Sequence, residues 1–180
     1  MKNLTTFIFL VLISIFTVEA QWQQLNGPMT GSVHCYFVDS PNLFAGTNSG
    51  IFLSDNLGTD WIGSYNGLPV ACVYSIIKSG SEFFAGTDDG VFKSTDNGTN
   101  WNSASYGLDA GVISMAVIGN NIFAGTRGSG VYLSIDSGTT WIAKNSGLTD
   151  YFINAMVANG SNIFAGTDNG VFMSSDYGAN

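Results

Sequence analysis

The tetrapeptide Phe-Ala-Gly-Thr occurs four times, at Phe44–Thr47, Phe84–Thr87, Phe123–Thr126 and Phe164–Thr167, in steps of 40, 39 and 41 residues. Tryptophan keeps the same beat at Trp22, Trp61, Trp101 and Trp141. A chain with a period near forty residues is built from copies of one supersecondary unit. Such copies hide their apolar surfaces against one another rather than within a single central core. The units run over about residues 22–60, 61–100, 101–140 and 141–180.

Within a unit the hydrophobic period is two. In the second unit Val73, Ser75 and Ile77 alternate with Tyr74, Ile76 and Lys78, which predicts a strand. Ser79-Gly80-Ser81 turns the chain into a second strand over Glu82 to Thr87. Asp88-Asp89-Gly90 turns it into a third over Val91 to Ser94, and a fourth strand opens at Trp101. No stretch carries a helical period for more than a turn. Four short antiparallel strands per unit predict an all-β fold, a β-propeller of four-stranded antiparallel blades. About four blades are present, in an incomplete ring. An isolated sheet would leave both faces wet, whereas blades set side by side cover one another. Cys35, Ser75, Ser114 and Ala155 share one position in the first strands, where crowding near the axis calls for small side chains. A β-solenoid is the alternative, but its rungs are shorter and its strands pair between repeats.

Each third strand runs into a second recurring pattern. It reads Ser94, Asp96, Gly98, Trp101 in the second unit and Ser134, Asp136, Gly138, Thr140, Trp141 in the third. The fourth unit has Ser174, Asp176 and Gly178, and the first has Asn56 in place of the aspartate, flanked by Asp55 and Asp60. A hydroxyl and a carboxylate on a hairpin turn can take up backbone N–H groups that the ladder leaves free. The glycine supplies a backbone geometry closed to other residues, and the indole buries beside the turn. The pattern is a staple for the hairpin between third and fourth strands.

These residues resemble the Asp-box, or BNR repeat, Ser/Thr-x-Asp-x-Gly-x-Thr-Trp. The third unit matches throughout; the second has Asn100 where threonine is usual. With the Phe-Ala-Gly-Thr strands the resemblance covers residues 21–180. It implies a propeller like those of sialidases, sortilin-like receptors, xyloglucan-cleaving glycoside hydrolases and photosystem II assembly factors. Similar repeats occur in secreted surface proteins of Bacteroidetes-like bacteria. In these families the box lies away from the active or binding site, so it speaks to fold and not to chemistry.

Residues 1–20 read as a secretory signal peptide: Lys2, then the apolar run Phe7 to Phe16, then Val18-Glu19-Ala20 before a cut at Gln21. The apolar run is too short to span a bilayer. A secreted, extracellular or cell-surface location follows, the periplasm also fitting, with no membrane span in the mature chain. The net charge is −8. Lys78, Lys93, Arg127 and Lys144 are scattered, which argues against nucleic-acid binding. Cys35 and Cys72 read as buried, unpaired thiols, although a disulfide is chemically possible in an exported chain. His34 alternates with apolar neighbours and reads as a strand residue. No metal-ligand spacing occurs, and no cofactor is expected.

The resemblance also tests for catalysis. Sialidases grip their substrate with three arginines and use a tyrosine–glutamate pair, but Arg127 is the single arginine and Glu82 the single glutamate after residue 20. Other glycosidases need two suitably spaced carboxylates. Asp88, Asp89 and Asp168 sit on turns between second and third strands, and Asp109 and Asp150 on loops between blades. In a propeller these two loop sets share one face, which would make that face acidic. Asp-Gly and Asp-Asn are also good turn formers, and calcium binding there is a further reading.

Candidate ligand-binding residues are Asp88, Asp89, Asp109, Arg127, Asp150, Tyr151 and Asp168; no catalytic or metal-ligating residue is nominated. The preferred function is a non-catalytic binding module for a protein or glycan ligand. The alternative is a carbohydrate-active enzyme whose catalytic residues lie partly in missing blades; a weaker one is an assembly factor for a membrane complex. Asn180 falls inside the fourth box, so the chain reads as truncated from a ring of six to eight blades. A second reading lets Trp22 complete the fourth blade and close a ring of four.

Overall fold

The computed structural model describes residues 22–28 and 31–179; the proposed signal peptide at 1–20 lies outside them, as does Asn180. The described chain is all-β. Blade 1 contains β1 (Val33–Asp39), β2 (Asn42–Thr47), β3 (Gly50–Ser54) and β4 (Ile62–Gly63). Blade 2 contains β5 (Val73–Ser79), β6 (Glu82–Thr87), β7 (Gly90–Ser94) and β8 (Asn102–Ser103). Blade 3 contains β9 (Val112–Ile118), β10 (Asn121–Thr126), β11 (Val131–Ser134) and β12 (Ile142–Ala143). Blade 4 contains β13 (Ile153–Asn159), β14 (Asn162–Thr167) and β15 (Gly170–Ser174).

Strands follow chain order within every sheet and pair antiparallel with their sequence neighbours. The ladders between these strands therefore form inside one blade, with single bridges at Asn66–Asn100 and Arg127–Phe152 crossing between blades, and that is what separates a propeller from a solenoid. The sheets are offset from the sequence units, because blades 1 to 3 each close on the two residues after the next tryptophan.

The core lies between blades. Phe44 and Ile51 of blade 1 pack with Val73, Ile76, Phe83, Phe92 and Trp101 of blade 2. The same arrangement recurs one blade on, where Phe84 and Val91 meet Val112, Met115 and Trp141, and again where Phe123 and Val131 meet Ile153 and Ile163. Burying a Phe side chain in this way contributes about 1.5–3 kcal/mol, and it does so only because a neighbour covers the face.

The first strands lie against one another from blade to blade. The Met115 N–H donates to Ser75 Oγ at 3.2 Å and the Met156 N–H to Ser114 Oγ at 2.8 Å. The small residues at these positions are thus the ones touched by the next blade. The glycine of Phe-Ala-Gly-Thr has the same cause. A Cβ on Gly86 would stand 2.8 Å from Val112 Cγ1, and one on Gly125 would stand 2.5 Å from Ile153 Cγ2.

Two sequence expectations need correcting. Residues 22–28 form no strand, and Trp22 is wholly exposed, so it does not complete the fourth blade of its own chain. Cys35 and Cys72 are unpaired, but both are half-buried rather than buried. Burial still pushes the Cys35 thiol up to about 11. The arc is open, with apolar side chains exposed on both of its end blades.

Candidate functional site

The residues of the recurring Ser–Asp–Gly pattern are consumed by their own turns. Ser94 Oγ donates to Asp96 Oδ1 at 2.8 Å and accepts the Gly98 N–H at 2.9 Å. Asp96 Oδ1 accepts the Asn100 N–H at 2.8 Å and Oδ2 accepts from Asn100 Nδ2 at 2.7 Å. In the third unit Ser134 holds Asp136 and Gly138 alike, and Asp136 accepts both the N–H and the hydroxyl of Thr140, at 2.9 and 2.6 Å. Thr140 thereby holds the Asp136 carboxyl down at about 2. Ser174, Asp176 and Gly178 repeat the pattern at 2.7 Å on both hydroxyl bonds. Trp101 Nε1 donates across the blade boundary to Ser64 O at 2.9 Å, and Trp141 Nε1 to Ala104 O at 2.7 Å. The turns also place Asn97, Ser137, Leu57 and Tyr177 at φ between 55 and 61°, a geometry these staples must stabilise.

The opposite ends of the hairpins carry the ligand-candidate residues. The Phe-Ala-Gly-Thr threonines clamp these turns: Thr87 Oγ1 donates to Gly90 O at 3.0 Å and accepts the Asp89 N–H at 3.1 Å. The same pair of bonds recurs at Thr47, Thr126 and Thr167. Each turn is then tied to the loop entering its own blade. The Asp88 N–H donates to Cys72 O at 3.3 Å and the Arg127 N–H to Gly111 O at 3.0 Å. Turns and inter-blade loops therefore form one face.

On that face every first strand is bulged. Val33 pairs with Thr47 but Cys35 with Gly46, leaving His34 as the extra residue. The same register shift leaves Tyr74, Ile113 and Asn154 as extras in blades 2, 3 and 4. A β-bulge re-aims the side chain it carries. Four chemically different side chains thus stand at one repeating position beside the axis.

One of them, Tyr74, meets Arg127 and Asp88 as well as the His34 ring. The His34 and Tyr74 rings lie 5.1 Å apart, and the Arg127 guanidinium lies 5.3 Å from the Tyr74 ring centre on the next blade. Tyr74 OH donates to Asp88 Oδ1 at 3.0 Å, and Arg127 Nη1 stands 4.0 Å from the same oxygen. Burial pushes the Tyr74 phenol up, with Cys72 and Asp88 adding to the effect. Arg127 is half-exposed, so its planar donor fork faces solvent beside an aromatic pair.

The remaining nominated residues fall into neighbouring groups. Asp88, Asp89 and Asp109 line one groove of about 400 Å³ with Gly90, Ser105 and Leu108. Asp109 accepts the Tyr132 hydroxyl at 2.6 Å, which lowers its carboxyl; burial, with Asp109 adding to it, raises the Tyr132 phenol to about 12. Tyr151 gives its carbonyl to the Gly128 and Gly130 N–H groups at 3.1 and 3.0 Å. Asp150 accepts the Phe152 N–H at 3.0 Å and the Asn169 N–H and side-chain amide at 3.1 and 3.0 Å, and its carboxyl is lowered, most by the Phe152 N–H. Asp168 accepts from Asn154 at 2.7 Å.

His34 and Tyr74 are not among the residues nominated by sequence. The signal that could have found them is the register itself, since residues 34, 74, 113 and 154 are the same repeat position occupied by four unlike side chains.

No protein-family model and no curated protein matches the chain. Solved structures do. An ancestral GH74 enzyme superposes with a TM-score of 0.70 at 22% identity, over 90% of this chain and 25% of that one. An extracellular domain from B. thetaiotaomicron, assigned to the one component system BT4673, gives 0.68 at 22% identity over 83% of this chain and 21% of that one. The computationally designed Ika4 protein gives 0.68 at 14% identity, over 84% of this chain and 94% of that one. The chain thus spans about a quarter of the length of the GH74 enzyme, a fifth of the extracellular domain and nearly the whole of the designed protein. At these identities the likeness is one of fold. Paired within blades and buried between them, the described residues are an open arc of a β-propeller with antiparallel blades, four-stranded in blades 1 to 3.

Proposed function

We propose that this chain is an Asp-box propeller module, exported by the signal peptide at 1–20, whose turn face binds a glycan or protein ligand outside the cell or at its surface. The observation that carries the reading is the run His34–Tyr74–Arg127, held across three blades, with Asp88 closing it. Aromatic rings, a donor fork and a carboxylate fixed on a rigid frame are what recognition of a polar, hydroxyl-rich ligand requires. That one of the similar structures is an extracellular domain supports the location.

The carboxylates argue for binding over hydrolysis. A glycosidase acid needs a raised pKa, whereas Asp109 is lowered by the Tyr132 hydroxyl of β11 and Asp150 by the Phe152 N–H. The likeness to a GH74 enzyme supports the blade architecture and assigns no substrate.

The test is a glycan array probed with the purified chain, followed by calorimetric titration of each hit and a pull-down from the native surface if no glycan binds. Tyr74→Ala and Arg127→Ala are expected to weaken binding at least tenfold, while Asp136→Asn on the opposite face leaves it unchanged. Affinity unaltered by both face variants would sink the proposal. Reducing sugar released from a bound glycan would move the assignment to the enzyme class.

A further inference from the structure

Each bulge residue has a counterpart 14 positions on, the first residue of the turn that follows the Phe-Ala-Gly-Thr strand. The pairs are His34 with Asn48, Tyr74 with Asp88, Ile113 with Arg127 and Asn154 with Asp168. In blades 2 and 4 the pair is a donor and a carboxylate, and it closes on itself. Tyr74 OH donates to Asp88 Oδ1 at 3.0 Å and Asn154 Nδ2 to Asp168 Oδ1 at 2.7 Å. In blade 3 the pair is a hydrocarbon and a guanidinium, which have no hydrogen bond to make with each other. Arg127 instead lies over Tyr74 of blade 2, 5.3 Å from its ring centre.

This crossing sets two groups of opposite character side by side without joining them. Arg127 Nη1 stands 4.0 Å from Asp88 Oδ1, beyond hydrogen-bond reach. The two side chains are 51% and 44% exposed. A guanidinium only donates and a carboxylate only accepts. A single group that satisfies both must accept from one and donate to the other. A hydroxyl does so with its oxygen about 2.7–2.9 Å from each, and those distances span a separation of 4.0 Å. A ligand carboxylate would accept from Arg127 but meet Asp88 as a like charge. A ligand ammonium would donate to Asp88 but meet Arg127 as a like charge.

The surroundings fit the same class. Asp89 and Asp109 line the groove with Asp88, and the Tyr132 hydroxyl holds the Asp109 carboxyl low and charged. Three carboxylates beside one guanidinium leave the local charge negative, which opposes an acidic ligand. Ring surface flanks the polar pair. The exposed His34 ring tilts against Tyr74 at 5.1 Å. Phe152 bridges to Arg127 through the backbone and is 45% exposed. Such rings cover the C–H face of a sugar while the polar groups fix its hydroxyls.

Given that the turn face binds a ligand, as proposed above, we infer that the ligand is a neutral sugar, held by a hydroxyl that accepts from Arg127 and donates to Asp88. Tyr74 is the positioning residue, with the guanidinium on its ring and one carboxylate oxygen on its hydroxyl. Ile113 frees Arg127 for this role by offering it no partner within blade 3.

The test is calorimetric titration of the purified chain with gluco-, manno- and galacto-configured tetrasaccharides, each beside its uronic-acid and 2-amino-2-deoxy counterparts. One neutral series should bind roughly tenfold or more tighter than both charged counterparts, and Arg127→Gln should weaken it by a similar factor, the loss of one charge-assisted hydrogen bond. Asp88→Asn should narrow the margin by improving the uronic-acid affinity, a change that a merely structural role would not produce. Ile113→Gln gives Arg127 an acceptor in its own blade and should weaken the neutral sugar with an unchanged circular dichroism spectrum. A charged sugar bound as tightly as its neutral counterpart, and weakened by Arg127→Gln, overturns the inference and leaves the face a binding surface. Sugar affinity indifferent to Arg127→Gln overturns both. Binding to none of the sugars also overturns the inference; a protein captured from the native surface and lost with Arg127→Gln would then keep the face as a binding site.

Discussion

Blades 2 and 4 carry the same Phe-Ala-Gly-Thr strand and nearly the same hydrogen bonds, yet they differ in what those residues contribute. Thr87 and Thr167 clamp their turns at 3.0 and 3.1 Å, and Ser94 and Ser174 hold their boxes at 2.9 and 2.7 Å. Burial separates them. Val91 is 0% exposed and its counterpart Val171 76%. Phe84 is wholly buried and Phe164 half-buried. The turn chemistry is local and survives at the end of the arc, whereas the hydrophobic contribution comes from the neighbouring blade and disappears where the neighbour does. In an array of this kind stability is a sum of unit and boundary contributions, so an end blade opens at lower cost than an interior one.

Substitutions at matched positions test that contrast. The largest difference is expected at the phenylalanines. Phe84→Ala should cost about 3–5 kcal/mol, while Phe164→Ala should cost less, under about 2 kcal/mol in the isolated chain, because part of its surface stays in water. Urea midpoints of the two variants measure this, and equal losses would show that the end face is covered in solution.

Next come the glycines. Gly86→Ala drives a methyl into Val112 of the next blade and should cost about 1–3 kcal/mol. Gly166 meets only Ala155, at 3.8 Å and beyond. Gly166→Ala should therefore be neutral or raise stability by up to about 1 kcal/mol, since alanine loses less chain entropy on folding. Thermal melts of the pair give the answer, and a matching loss at both sites breaks the comparison.

Smaller again is the serine of the box. Ser94 is wholly buried and accepts the Gly98 N–H, so Ser94→Ala should cost about 1–3 kcal/mol by stranding that donor. Ser174→Ala should cost less, because water can reach the equivalent Gly178 N–H. Hydrogen exchange at the two glycine amides reads this directly.

The smallest effect concerns pH. The hydroxyl and N–H of Thr140 hold the Asp136 carboxyl at about 2, below the roughly 3.9 of an unfolded aspartate. Its contribution is whole above about pH 4 and is lost as the pH falls through 2. Asp136→Asn should flatten part of the acid decline in a urea-midpoint profile over that window. Asn56 at the same position in blade 1 is already an amide, so Asn56→Ala should leave the slope unchanged. A profile that Asp136→Asn does not alter would remove the carboxylate from the staple.

Much of the architecture was legible in the sequence for a definite reason. The strands, the hairpin turns, the Ser–Asp–Gly staple and the threonine-bearing strand ends all act within forty residues, so each repeat restates them. The candidate site was legible only in part. Asp88 and Arg127 sit on turns that spacing could nominate. His34 and Tyr74 read as ordinary alternating strand residues, because nothing in the local pattern marks a bulge or says that residue 74 will stand between residues 34 and 127. Asp109, Asp150 and Asp168 read as an acidic face, and what the sequence did not show is which neighbouring donors their carboxylates accept from.

By itself the sequence determined the unit: its length, its strands, its turns and the stapling of each hairpin, because those depend on backbone geometry and hydrogen bonds between residues near in the chain. Only the tertiary structure decided which copies of that unit are buried, which side chains from different blades meet beside the axis, and that Trp22 is left without a sheet. Those outcomes depend on each blade's place in the arc, a property that identical repeats cannot encode.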